Sequence, residues 1–213
     1  MAVEKIKIKN DAAGVEAALE ATERYAGQRG ISGKNRIHLN ILSEELIGMV
    51  KAITKEFEAE YWIDDEEGII KLYLEAETVM DSEKKINLVS VSKSQKNEAA
   101  KGLMGKIRDV FEYMLFSPAD VADMQLAQIH TNAMMMGGYV GAIATDYIWS
   151  LERYRYDVKD AVANQEAQEA WDELEKSVIA NLADDVRVWV RGNKVRLVIE
   201  LNAAGVANRT VKG

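Results

Sequence analysis

The chain has 213 residues, 48% hydrophobic and 29% charged, enough for one large domain or two small ones around a real core and too apolar for wholesale disorder. Lys and Arg number 27 against 35 Asp and Glu, so the net charge of −8 argues against DNA or an anionic membrane as the main partner. The absence of Cys excludes disulfides, thiol catalysis and Cys-ligated metal clusters, and the two His residues, His38 and His130, leave little for a His-rich metal site.

The N-terminus alternates apolar and charged residues and has no apolar signal region, which reads as a cytoplasmic chain. Ile6–Lys9 has period two and predicts a strand. Asn10 and Asp11 supply turn or cap chemistry. The pattern then becomes helical from Gly14 to Gln28, with Val15, Ala18, Leu19, Thr22 and Tyr25–Ala26 on one face and Gly27 and Gly30 at its end. Ser32 is placed to cap a second helix running to about Thr54. Its apolar stripe is Ile37, Ile41, Leu42, Leu46, Met49, Val50 and Ile53.

A hairpin follows. Glu58–Ile63 alternates, Asp64-Asp65-Glu66-Glu67-Gly68 turns, and Ile69–Glu77 alternates back. Residues Asp81–Asn97 read as a polar loop with a short strand or helical turn, and Glu98–Phe116 as a helix. At Ser117-Pro118-Ala119-Asp120 a cap, a first-turn Pro and an acid at the positive helix end open a further helix. Helical sequence runs on to about Val162 in two pieces, with Gly137, Gly138 and Gly141 near the break. Gln165–Ala183 predicts another helix with Trp171, Leu174, Val178, Ile179 and Leu182 inward. Asp185–Arg191 and Val195–Leu201 form a second hairpin around Gly192-Asn193.

Hairpins on both sides of helices predict an α+β sandwich: a mixed β-sheet covered on one face by helices. The terminal hairpin is marginal alone and needs a sheet to join. The organisation expected is one domain over residues 1–202, with a helical insertion at about 117–183 and a loosely ordered tail at 203–213.

The stretch Leu42-Ser43-Glu44-Glu45-Leu46-Ile47-Gly48-Met49-Val50-Lys51-Ala52 resembles the Glu-containing helix of the GHKL superfamily, the histidine-kinase-like ATPases with the Bergerat fold. The anti-sigma-factor serine kinases are the branch it is most similar to. The resemblance implies that Glu45 is the carboxylate that positions water. Four residues later the family has a magnesium-binding Asn, and this chain has Met49. A thioether is a poor ligand for magnesium, which demands hard oxygens. The family's Asp-x-Gly, whose Asp reads the adenine amino group, falls on Leu74–Asp81. There Glu77 or Asp81 would stand in for the Asp, and the Gly is missing. Gly102-Leu103-Met104-Gly105 is similar to the phosphate lid, with Gly102 and Gly105 as backbone donors to phosphate. The resemblance spans residues 3–116 and 184–202.

Other constellations read more simply. Lys84–Arg108 carries seven cations against Glu98 and reads as a solvated loop, a remnant lid or a dock for an acidic partner. Met134–Ala144 is rich in Met and Gly and reads as core or as a homodimer surface, and it is too short to span a membrane. In Trp149–Tyr156, Leu151, Tyr154 and Val158 form an inward helical stripe. Asp64–Glu67 and Asp184–Asp185 lack calcium-loop spacing, so no metal site is expected. His130 has no triad partners at suitable spacing.

The expectation is therefore a regulatory protein-interaction module on a histidine-kinase-like scaffold, with ATP binding impaired or lost, no phosphotransfer and no cofactor. The resemblance implies a protein partner such as a transcription regulator, a sigma factor or its antagonist. Two alternatives stay open: an active ATP- and magnesium-dependent anti-sigma-factor serine kinase, and a structural homodimerising module.

Overall fold

A computed structural model describes residues 4–53, 57–78, 149–160, 165–191 and 194–202. Strand β1 (Ile6–Lys9) leads into helices α1 (Ala12–Gln28) and α2 (Gly33–Ile53). Strands β2 (Phe57–Glu66) and β3 (Ile69–Thr78) follow, and then the short strand β4 (Trp149–Ser150). Helices α3 (Leu151–Asp160), α4 (Gln165–Lys176) and α5 (Val178–Leu182) precede the final strands β5 (Asp185–Arg191) and β6 (Lys194–Asn202).

The six strands form one sheet in the order β1-β2-β3-β6-β5-β4. The early and final hairpins therefore share a sheet, joined by the β3–β6 ladder from Ile69↔Asn202 to Glu77↔Lys194. The α+β class holds. The expected mixed sheet does not: every described pairing is antiparallel. Between β1 and β2 the chain goes out along α1 and back along α2, so it re-enters the sheet antiparallel to where it left.

Period-two alternation divides the sheet into two faces. Ile8, Ala59, Tyr61, Ile63, Leu72, Leu74, Leu197 and Ile199 are buried on one face. They form a single core with Ala18 and Ala26 of α1, Leu39, Leu42, Leu46, Met49 and Val50 of α2, Tyr154 and Val158 of α3, Leu174 of α4 and Ile179 of α5. All five described helices thus cover the same face. Each large side chain enclosed there contributes on the order of 1.5–3 kcal/mol.

Local chemistry sets the element ends. Asp11 caps α1 by accepting from the Gly14 N–H at 2.7 Å. At the other end Ile31 N–H donates to Ala26 O and Gly30 N–H to Gly27 O, a Schellman motif with Gly30 at φ 65°. Gly14 has a second role: a Cβ there would lie 2.2 Å from the Lys9 carbonyl oxygen. Only a glycine lets α1 start this close to β1.

Several element boundaries differ from expectation. The acidic turn is shorter than five residues. The strands run on to a Glu66↔Ile69 pair, and Glu67 and Gly68 turn the chain with φ 54° and 81°. Both positive values are those of a two-residue type I′ hairpin. The expected helix through Val162 is preceded at Trp149–Ser150 by a strand that pairs with Val188 and Arg187. Ser150 accepts from the Arg153 N–H at 3.2 Å, so it caps α3 instead of continuing a helix. The Gln165–Ala183 helix breaks at Ser177 for the same reason, its hydroxyl accepting from the Ala180 N–H at 3.3 Å. The break resets the helical phase and leaves Val178 47% exposed. Ile37 is also outward, 58% exposed. It lies two residues, about 200°, from the buried Leu39.

Candidate functional site

The expected site is built on α2, so its placement follows from how that helix is seated. Leu39, Leu42, Leu46, Met49 and Val50 are each at most 1% exposed and hold α2 against the sheet. Glu45 is half-buried at the edge of this face, and Glu44 is exposed. Met49, where the resemblance has its magnesium ligand, is 0% exposed and belongs to the apolar core.

Glu77 lies on the opposite face of the sheet. Its neighbour Ala76 is buried with the core, and Glu77 is exposed, with Lys194 Nζ 3.2 Å from its Oε1. The structure does not bring Glu77 together with Glu45. Asp81, Gly102 and Gly105 lie outside the described residues, as do Lys84–Arg108, Met134–Ala144 and His130. Among the described residues no group of three His, Cys, Asp or Glu is disposed to hold a metal ion. Among the same residues, no helix is long and apolar enough to cross a membrane.

The acidic pairs have structural partners. Asp65 meets Arg29 at 2.5 Å, and Asp64 Oδ1 accepts from the Asp65 N–H at 2.8 Å. Asp184 Oδ2 accepts from the Asn202 N–H at 2.5 Å. Asp185 is 5% exposed, and its Oδ1 accepts from the Glu152 N–H at the start of α3, where a carboxylate suits the positive helix end. Its Oδ2 takes Arg187 Nε at 2.9 Å, and Arg187 also reaches Glu200 at 3.1 Å. In the aromatic–Arg segment, Leu151, Tyr154 and Val158 point inward as expected. Arg155 crosses to α5 and donates to the carbonyl of Ala180 within it and to those of Ala183 and Asp184 just beyond its C-terminal end.

The sheet face away from the helices carries a charge ladder. Glu58 and Glu60 of β2 stand directly opposite Glu77 and Glu75 of β3. Like charges so placed repel, and cations on either side, from residues 5–9 and from β6, offset them. Lys9 meets Glu58, Lys5 meets Glu60 and Lys194 meets Glu77, each at 3.2 Å, and Arg196 meets Glu75 at 2.5 Å. Trp62 and Tyr73 stack at 4.8 Å with planes 3° apart, Lys5 lies 4.1 Å above Trp62, and Arg196 is 5.6 Å from Trp189. All three rings are partly exposed.

Sequence reasoning missed a polar cluster under the helices. Thr22, Ser43 and Tyr61 are 0% exposed, and their hydroxyl oxygens lie 2.8–2.9 Å apart. Thr22 donates to Ala18 O and Ser43 to Leu39 O, each at 2.8 Å. The Tyr61 proton is then the one left inside the triangle. Burial pushes the Tyr61 ionisation up to about 12, although the hydroxyls of Ser43 and Thr22 pull it the other way. The available signal was two small polar residues at inward positions of apolar helical stripes. A second polar contact ties α1 to α2 at the surface. Glu23 accepts from Arg36 Nε and Asn40 Nδ2, and those bonds hold its carboxyl below the usual range.

Comparison with protein-family models, curated proteins and solved structures finds no match.

Proposed function

We propose that the chain is a regulatory protein-interaction module on a scaffold similar to the histidine-kinase-like ATPases, and that it does not transfer phosphate. The scaffold reading is supported by the element order: a strand, two helices and a hairpin, with the terminal hairpin in the same sheet. The loss of phosphotransfer rests on one observation above all. At the position of the family's magnesium ligand stands a Met49 side chain with no exposed surface. Phosphoryl transfer in such folds depends on a metal ion to offset phosphate charge. A thioether sealed in the core offers that ion nothing.

A binding role is supported by the sheet face away from the helices. Trp62, Tyr73 and Trp189 are partly exposed there beside Arg196. Aromatic and Arg side chains are the types enriched at protein interfaces. The partner class, a transcription regulator such as a sigma factor or its antagonist, comes from the resemblance alone.

Incubation with γ-labelled ATP and magnesium tests the reading. The expected result is phosphate release equal in the wild type and Glu45→Ala, and no label on a sigma factor or antagonist protein added to the reaction. Turnover that disappears in Glu45→Ala would overturn the proposal in favour of the active kinase.

A further inference from the structure

Two carboxylates of adjacent strands face each other with little solvent. Asp185 of β5 stands in register with Glu200 of β6, and the two residues are 5% and 8% exposed. Acids so placed repel unless a cation bridges them. Arg187 is that bridge: its Nε donates to Asp185 Oδ2 at 2.9 Å, and its Nη2 lies 3.1 Å from Glu200 Oε2. Lys71 of β3 is in register with Glu200 on the side away from Asp185, and it pairs with Glu66 at 3.2 Å.

The Asp185 carboxylate also belongs to the helical layer. Val186 and Val188 are buried in the core, so alternation puts Asp185 and Arg187 on the face of β5 away from the helices. Helix α3 packs on the core face through Tyr154 and Val158. Strand β4, paired with β5, is two residues long and turns at once into α3, which brings the first turn of that helix beside β5. There Asp185 Oδ1 accepts from the Glu152 N–H at 2.9 Å and from the Val186 N–H at 2.8 Å. One side chain thus carries the start of α3 on one oxygen and the Arg187 guanidinium on the other.

We propose that Asp185, Arg187 and Glu200 form a latch, through which charge on the outer face of the sheet controls the seating of α3 on the core face. With Arg187 in place, the Asp185 carboxylate is held at the positive end of α3. Without it, two enclosed carboxylates are left opposed on strands that the β5–β6 ladder keeps in register, and the repulsion falls on the cap. Arg187 is the trigger, since its side chain is 32% exposed against 7% and 10% for the two acids. An acidic group of the partner that draws Arg187 outward would act as its removal does. That last step rests on the reading of this face as the partner's surface; the latch itself does not.

Hydrogen exchange of the full chain, read amide by amide by NMR, tests the latch without a partner. Arg187→Gln should speed exchange of the α3 amides of residues 155–158 by roughly tenfold or more, the effect of unpairing enclosed charges. The amides of β2 and β3 should stay within about twofold of wild type, the pattern of a local opening. Adding Glu200→Gln should recover most of the lost protection, because it removes the repulsion without restoring the guanidinium. No acceleration in α3, equal acceleration in α3, β2 and β3, unfolding of the whole chain, or no recovery with Glu200→Gln would each overturn the proposal.

Discussion

Glu77 and Met49 face away from each other across the sheet: Glu77 is held outside by Lys194 at 3.2 Å, and Met49 is enclosed on the helical side. Two positions that the resemblance would draw into one nucleotide site are separated by the sheet itself. Glu45, at the rim of α2, is left without either of them.

Because Met49 is a core residue, placing there the Asn of the family that the sequence resembles will not create a magnesium site. Met49→Asn should lower stability by about 2–5 kcal/mol, the cost of losing a buried side chain, with more added by an amide that finds no partner. It should confer no magnesium-dependent nucleotide binding. Urea denaturation and a thermal-shift assay with and without Mg-ATP check both parts.

The buried hydroxyl triangle gives stability a pH dependence at the alkaline end. Tyr61 ionises near 10 when unfolded and is pushed up to about 12 when folded. Between those values the folded state retains a proton that the unfolded state has lost, so stability falls as pH rises through that window and is fully present below it. The expected loss is on the order of 2–3 kcal/mol. Urea midpoints should therefore fall less steeply with pH in Tyr61→Phe than in the wild type above pH 10. Parallel slopes would place the tyrosine in contact with water.

Gly14→Ala tests the join between β1 and α1. The new methyl would meet the Lys9 carbonyl oxygen 2.2 Å away, and that oxygen belongs to backbone that has little room to yield. A loss of about 1–3 kcal/mol is expected, against the small gain Ala gives an unobstructed helix. Chemical denaturation of Gly14→Ala beside Gly27→Ala makes the comparison, because a Cβ at Gly27 meets nothing within 4 Å.

The hairpin turn offers a gain. Glu67 sits at φ 54°, a region that costs a residue bearing a Cβ about 1 kcal/mol and that Asn tolerates better. Glu67→Asn should raise the melting temperature by roughly 1–4 °C. A decrease would mean that the Glu67 side chain makes a stabilising interaction of its own.

Much of this architecture was legible in advance. Alternation marked both hairpins, and the terminal one could not stand alone, so a shared sheet followed. The face of Glu77 was legible too: Ile70, Leu72, Leu74 and Ala76 alternate as the buried set, which assigns Glu77 to the other side. Met49 was harder. Four residues advance a helix about 40° beyond a full turn, enough for Glu45 to sit at the rim and Met49 beneath it, but that depends on how α2 is seated. The Thr22–Ser43–Tyr61 triangle depends on the seating of two helices and a strand together. Trp149–Ser150 has neighbours with helical spacing, and only the Ser150 cap marks the boundary between strand and helix.

Calorimetric titration of the chain with ATP and magnesium, repeated on Glu45→Ala, meets the central claim most directly. The account predicts no heat beyond dilution for either protein at millimolar nucleotide. Micromolar binding by the wild type that weakens in Glu45→Ala would contradict it.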